Sequence, residues 1–145
     1  MTDDCLSLGR RIVVGIDGSK RSAAVLEWAT SQARLSATVL EVVTVWERST
    51  NPGWELGIPD TFDPAAEPLA MHHKLLDPMK AAHPDVTVHS SVIEGRPALL
   101  LVEASLGADL LVVGRTGHGE FVGMLLGSVS EHCVHHASCS VVVIR

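Results

Sequence analysis

No stretch of this sequence approaches the roughly 20 consecutive apolar residues that a membrane-spanning helix requires, so no membrane partner is expected. The first residues, Met1 to Arg11, lack a long apolar core behind a basic start, and no secretory signal is expected in them. Basic charge is scarce: 11 Lys and Arg stand against 17 Asp and Glu, for a net charge of −6. That balance argues against general nucleic-acid binding. A small anionic ligand is still allowed, because a local nest of backbone N–H groups does not need a basic protein. Cysteine is sparse as well. Cys5, Cys133 and Cys139 are odd in number and form no C-x-x-C, so free thiols in a reducing cytoplasm are expected. Internal repeats, low-complexity tracts and domain boundaries are also missing, and residues 1–145 are read as one domain.

What the chain does have is apolar sequence in short blocks: 46% of residues are hydrophobic and 19% charged, a composition that suits a packed globular core. Arg11 to Asp17 is almost continuously apolar, as in a strand buried on both faces of a parallel sheet. It ends in the turn Asp17-Gly18-Ser19, where Ser19 is placed to cap a helix over residues 20–35. Residues 38–46 are β-branched and apolar and predict a second strand. Residues 48–64 hold Pro52, Gly53, Gly57, Pro59 and Pro64 and predict a loop.

A helix is expected over about residues 65–83, with Leu69, His73, Leu76 and Met79 or Lys80 on one side and Pro84 at its end. Residues 86–93 alternate as a third strand. Pro97 opens a helix that Gly107 closes. Residues 108–113 form a fourth strand, residues 129–137 a last helix, and residues 141–144 a fifth strand. Strands alternating with helices predict an α/β fold with an open parallel sheet and helices on both faces. Ligands of such sheets bind beyond the C-terminal strand ends, where the strand order reverses.

The most informative stretch follows the fourth strand. Leu110 to Val113 stops at Gly114, a second glycine follows at Gly117, and Gly127-Ser128 comes after nine further residues. A buried strand, a glycine-rich loop and a helix start together make an anion site: glycine lets the ligand reach the backbone, and helix-start N–H groups point at it. Ser128-Val129-Ser130-Glu131 matches the S-x-x-E capping box, with Ser128 as the cap. The same glycines also suit a plain turn from strand to helix. Asp17, at the end of the first strand, can accept hydrogen bonds from a ribose or an adenine amino group, or can serve as an Asx-turn residue. Arg115, Thr116 and His118 are placed to contact phosphates.

Two patterns fail. Gly15 to Lys20 is not a P-loop, and Gly117 to Gly123 lacks the following strand and acid of a dinucleotide fingerprint. His132, His135 and His136 lie on the last helix, but Val129, Cys133, Val134 and Ala137 form its apolar side, so Cys133 points away from them. No metal site is expected there or at His72-His73. No nucleophile elbow or acid–base pair is identifiable by spacing, so no catalytic residue is named.

The pattern Gly114, Gly117, Gly127-Ser128 resembles the G-x2-G-x9-G-[ST] signature of nucleotide-binding members of the universal stress protein family. Val13 to Ser19 resembles that family's opening strand and Asp turn, and the likeness runs from about Arg11 to Arg145. The resemblance implies a Rossmann-like, five-stranded sheet of order 3-2-1-4-5, with ATP, alone or with Mg2+, between strands 1 and 4. Asp17 would meet the adenosine end beside Gly15 and Ile16, and Val45 would approach adenine through its backbone. Val113 and Gly114 would line the site. Gly117, Gly127, Ser128, Val129 and Ser130 would hold ribose and phosphates. Thr116 stands where some ATP-binding members carry a longer basic or polar residue, which implies a missing phosphate contact. A homodimer through the last strand is also implied, since Val141 to Val143 make an apolar edge. The expected function is a non-catalytic, ATP-binding stress or signalling module. A nucleotide-independent dimeric interaction module and a slow ATPase remain as alternatives.

Overall fold

The computed structural model describes residues 10–48, 57–117, 123 and 125–145. The five strands are β1 (Arg11–Ile16), β2 (Val39–Trp46), β3 (Val88–Glu94), β4 (Leu110–Gly114) and β5 (Ser140–Ile144). Between them run α1 (Ser22–Ser36), α2 (Ala66–Ala82), α3 (Pro97–Ala104) and α4 (Ser128–His136). The sheet order is β3-β2-β1-β4-β5, and every neighbouring pair is parallel. Expected fold class and strand order are therefore both observed. The order reverses between β1 and β4, where Val13 pairs with Leu111 and Val14 with Val112.

Alternation along β1 divides the core in two. Ile12, Val14 and Ile16 face α1 and α2 with Val25, Leu26, Ala29, Val42 and Leu76. Val13 faces the other layer with Val43, Leu101, Leu111, Val113 and Cys133. Gly15 lies on this second side, where an added Cβ would stand 2.8 Å from the Leu101 side chain. The missing side chain thus lets α3 close on the end of β1. At the far end of the sheet, Arg11 donates to Glu41 at 3.0 Å and to the Ala104 and Leu106 carbonyls, each at 2.8 Å. One cation there satisfies carbonyls at the end of α3 and the turn after it. Among the described residues, no helix is long and apolar enough to cross a membrane.

Several local expectations need correcting. The buried face of α2 carries His72 and Leu76, with Leu75 and Met79 packed against the core, rather than Leu69 and His73. Leu69 is exposed. The true stripe is 72, 75, 76, 79, which keeps helical spacing, but a histidine in its first position disguised it. Val134 of α4, expected on the apolar side of that helix with Val129, Cys133 and Ala137, is also exposed. Ser19 does not cap α1: the cap position is Arg21, without a side-chain cap bond. Ser19 instead donates its N–H to Asp17 Oδ1 at 2.8 Å. Residues 57–64 contain turns and no helix or strand, as expected for a loop; residues 49–56 of that loop lie outside the described residues.

Candidate functional site

Two turns build the site, one after β1 and one after β4. At the first, Asp17 Oδ1 accepts from the Ser19 N–H at 2.8 Å and from the Ser22 hydroxyl at 3.0 Å. The Ser22 oxygen in turn accepts from the Gly18 N–H at 2.9 Å. This is an Asx-turn, so the structural role considered for Asp17 is present. Gly18 has φ +80°, a conformation that favours glycine, and its open face lies against Met71. The second carboxylate oxygen of Asp17 lies directly against Gly117, where any added Cβ would collide with it. The two turns therefore meet at Asp17 and Gly117, 100 positions apart in sequence.

The second turn is stapled by one carbonyl. Arg115 C=O accepts from the Gly127 N–H at 2.7 Å and from the Ser130 hydroxyl at 2.7 Å. Arg115 N–H continues the sheet by donating to Ile144 at 2.8 Å. These bonds close the excursion between Thr116 and Leu126 and bring α4 back to the end of β4. The cap of α4 is Gly127, with φ −75° and ψ 171°, and Ser128 is already helical. The capping box expected with Ser128 as cap is therefore not formed: the helix boundary lies one residue earlier, at a glycine with no side-chain cap bond. Glu131 N–H bonds the Gly127 carbonyl at 2.9 Å. A helix start leaves the N–H groups of Ser128, Val129 and Ser130 without intrahelical acceptors. The Ser130 hydroxyl points its proton at main-chain carbonyls, so Ser130 can meet a ligand through its N–H.

A cleft of about 550 Å3, counting its open mouth, lies where the two turns face each other. Its walls include Gly15, Ile16, Asp17, Val45, Val113, Gly114, Gly117, Gly127, Val129 and Ser130. Thr116 also lines it, whereas Ser128 and Arg115, both named from the sequence, are not part of the wall. Residues that sequence reasoning did not name also line it, among them Arg21, Ser22, Val25, Val43 and Leu101. Arg21 Nη1 donates to Thr116 Oγ1 at 2.6 Å, across 95 positions of sequence. A second, wider cleft shares Asp17 and Val45 with the first and is walled by Trp46, Phe62 and Met71 on its outer side. His118 lies outside the described residues.

Glycine turns and helix-start amides can hold an anion. Asp17 can accept from hydroxyls or an amino group, and Val43, Val45 and Leu101 offer apolar contact. A nucleotide presents each of these chemistries on one molecule.

A family model for the universal stress protein family matches residues 9–145. The chain belongs to that family. A universal stress protein of Mycolicibacterium smegmatis is 35% identical over 135 residues, covering 92% of this chain and 45% of the relative. The chain thus spans about half the length of the curated relatives it matches. A universal stress protein crystallised in complex with cAMP has a TM-score of 0.70 and 28% identity, covering 94% of this chain and 96% of that one. The Archaeoglobus fulgidus family protein in complex with dAMP shares the fold at TM-score 0.63 and 19% identity, covering 94% of this chain and 98% of its own.

On α4 the His132 and His136 rings are tilted with centroids 4.3 Å apart, while Cys133 is fully buried in the core layer that holds Val13 and Leu101. Burial, with a smaller contribution from Cys139, pushes the Cys133 thiol up to about 11, so it stays protonated at neutral pH. Among the described residues, no group of His, Cys, Asp and Glu is arranged to hold a metal ion.

Proposed function

We propose that this universal stress protein binds an adenine nucleotide, ATP, in the cleft between β1 and β4, and acts as a non-catalytic nucleotide-sensing module. The observation that carries this reading is the meeting of Asp17 with Gly117 beside the open start of α4. It puts a hydrogen-bond acceptor for adenosine and N–H donors for phosphate in one cleft. The related protein crystallised with cAMP supports an adenine nucleotide as the ligand class. In this arrangement the base lies over Val45 towards the second cleft. Ribose lies near Asp17 and Gly117, and the phosphates meet Gly127 to Ser130. Phosphoryl transfer would further need a positioned water and charge stabilisation in the transition state. No residue of the cleft is assigned the first of these roles.

Gently purified protein is expected to carry adenine nucleotide, and calorimetry is expected to show saturable ATP binding. A flat titration up to millimolar ATP would remove the reading.

An interaction role is also supported by one specific observation. β5 is an edge strand, and Val143 shares an outer groove with Leu125 and Leu126. Leu125 is 84% exposed. An apolar edge of this kind favours pairing with a second copy. The expected result is a dimer at micromolar concentration by light scattering, shifted towards monomer by Leu125→Glu with ATP affinity unchanged. A monomeric parent protein would count against the homodimer.

A further inference from the structure

Four of the described arginines have visible duties or partners nearby. Arg11, Arg34 and Arg48 each pair with a carboxylate, at 3.0, 2.9 and 3.1 Å. Arg115 is anchored in the sheet through its main chain. Arg21 differs from all of them. It sits at the cap position of α1, lines the cleft, and has a neutral hydroxyl as its partner, Thr116 Oγ1 at 2.6 Å. Among the described residues, no carboxylate lies within ion-pair distance of it. A guanidinium carries five N–H donors, and one bond to a hydroxyl neither neutralises its charge nor uses its fork.

Its surroundings orient it. Thr116 is β-branched and therefore stiff, which makes its hydroxyl a fixed anchor. Gly114 leaves bare backbone beside the arginine stem: a Cβ there would stand 3.7 Å from Arg21 Cβ and 3.4 Å from Val25. The cleft wall that holds Arg21 also holds Gly117, Gly127, Val129 and Ser130. Positive charge from α1 and N–H donors from α4 thus converge on one space.

We propose that Arg21, held by Thr116, is a phosphate-binding residue of this cleft and makes affinity rise with the number of phosphates on the ligand. This rests on the nucleotide reading given above and deepens it. The short residue at position 116 does not forfeit a phosphate contact. It positions a cation that arrives from the opposite turn. Arginine is suited to that role because its planar fork can bond two phosphate oxygens at once.

The test is calorimetric titration of the parent protein, Arg21→Gln and Thr116→Val with adenosine, AMP, ADP, ATP and inorganic tripolyphosphate at fixed salt. Arg21→Gln is expected to leave adenosine affinity within about twofold and to weaken ATP by on the order of 10- to 100-fold, the size of a lost charge-assisted hydrogen bond. Thr116→Val keeps the cation but frees it, and is expected to lower ATP affinity in the same direction by a few fold, about 3 to 10. The dependence of ATP affinity on salt is expected to flatten in Arg21→Gln. Equal losses for adenosine and ATP would reduce Arg21 to a part of the cleft wall and overturn the proposal, as would an unchanged ATP affinity. If the parent protein binds tripolyphosphate but none of the adenine compounds, the nucleotide reading fails; loss of that binding in Arg21→Gln then still supports the cation site. A parent protein that binds neither removes both.

Discussion

Gly127→Glu is expected to weaken ATP binding by at least about 100-fold while leaving the protein as stable as the parent. The two halves of this expectation come from one position. Gly127 caps α4 with φ −75° and ψ 171°, an extended conformation that any residue adopts, so a side chain there introduces no backbone strain. The Gly127 N–H bond to the Arg115 carbonyl is a main-chain bond and survives the substitution. A carboxylate at the start of a helix is favourable by about 0.3–1 kcal/mol, because it faces the positive end of the dipole. Binding is affected in the opposite sense. The new carboxylate stands in the cleft wall where phosphate would meet the amides of Ser128, Val129 and Ser130. Two like charges about 4 Å apart repel by about 4 kcal/mol at the effective dielectric of a protein surface, which is roughly a thousandfold in affinity. Gly127→Gln has nearly the same size without the charge and separates crowding from repulsion. Calorimetry with ATP and thermal melts of all three proteins read both effects. Undiminished affinity in Gly127→Glu would place the phosphates away from α4.

The three central strands, β1, β2 and β4, were legible in the sequence because they are largely buried on both faces, whereas the more exposed β3 was read from alternation. Ile12, Val13 and Val14 need no alternation to be recognised, and the glycines that follow β1 and β4 mark where each strand stops. The strand order came from family resemblance rather than from periodicity, since pattern alone does not say which strands pair. The cleft was legible to the extent that it is made of local punctuation: Asp17, Gly114, Gly117 and Gly127 are each conspicuous beside their own strand or helix.

What escaped was whatever depends on a partner distant in sequence. Arg21 looks like an ordinary residue at a helix start until the fold brings Thr116 to it. The S-x-x-E pattern at Ser128 suggested a cap, but the Arg115 carbonyl recruits the Gly127 N–H and the Ser130 hydroxyl and moves the helix boundary back by one. Long-range bonds of this kind outcompete a local motif without erasing it from the sequence. The helix α2 lies where expected, but its buried face was misread for a related reason. A stripe is counted by apolar letters, and one of the two buried positions of that helix is a histidine.

That histidine is expected to make the protein acid-sensitive. His72 is 1% exposed, and its Nδ1 lies 2.7 Å from Thr44 Oγ1 on β2. In either tautomer its Nε2 is buried with no hydrogen-bond partner among the described residues. Burial, reinforced by the neighbouring His73 and opposed by Asp77, lowers its pKa below the ordinary value of 6.5. The folded state thus holds the imidazole neutral under conditions where the unfolded chain takes up a proton. Its stabilising contribution is complete above pH 6.5 and is lost as pH falls from there through the lowered folded value. Melting temperature is expected to decline over that window. In the double variant His72→Leu with Thr44→Val, which replaces the bonded pair by apolar groups, the decline should be shallower. His72→Ala alone is expected to cost about 2–4 kcal/mol near neutral pH, from the cavity and the stranded Thr44 hydroxyl. For a chain of this size that is about 2–4 °C of melting temperature per kcal/mol. The effect reaches the ligand region by a short route: Thr44 and Met71, flanking the buried ring on β2 and α2, both line the cleft that adjoins Asp17 and Val45. Scanning calorimetry from pH 8 to pH 5 is the measurement, and parallel pH profiles for the parent and the double variant would remove His72 as the source.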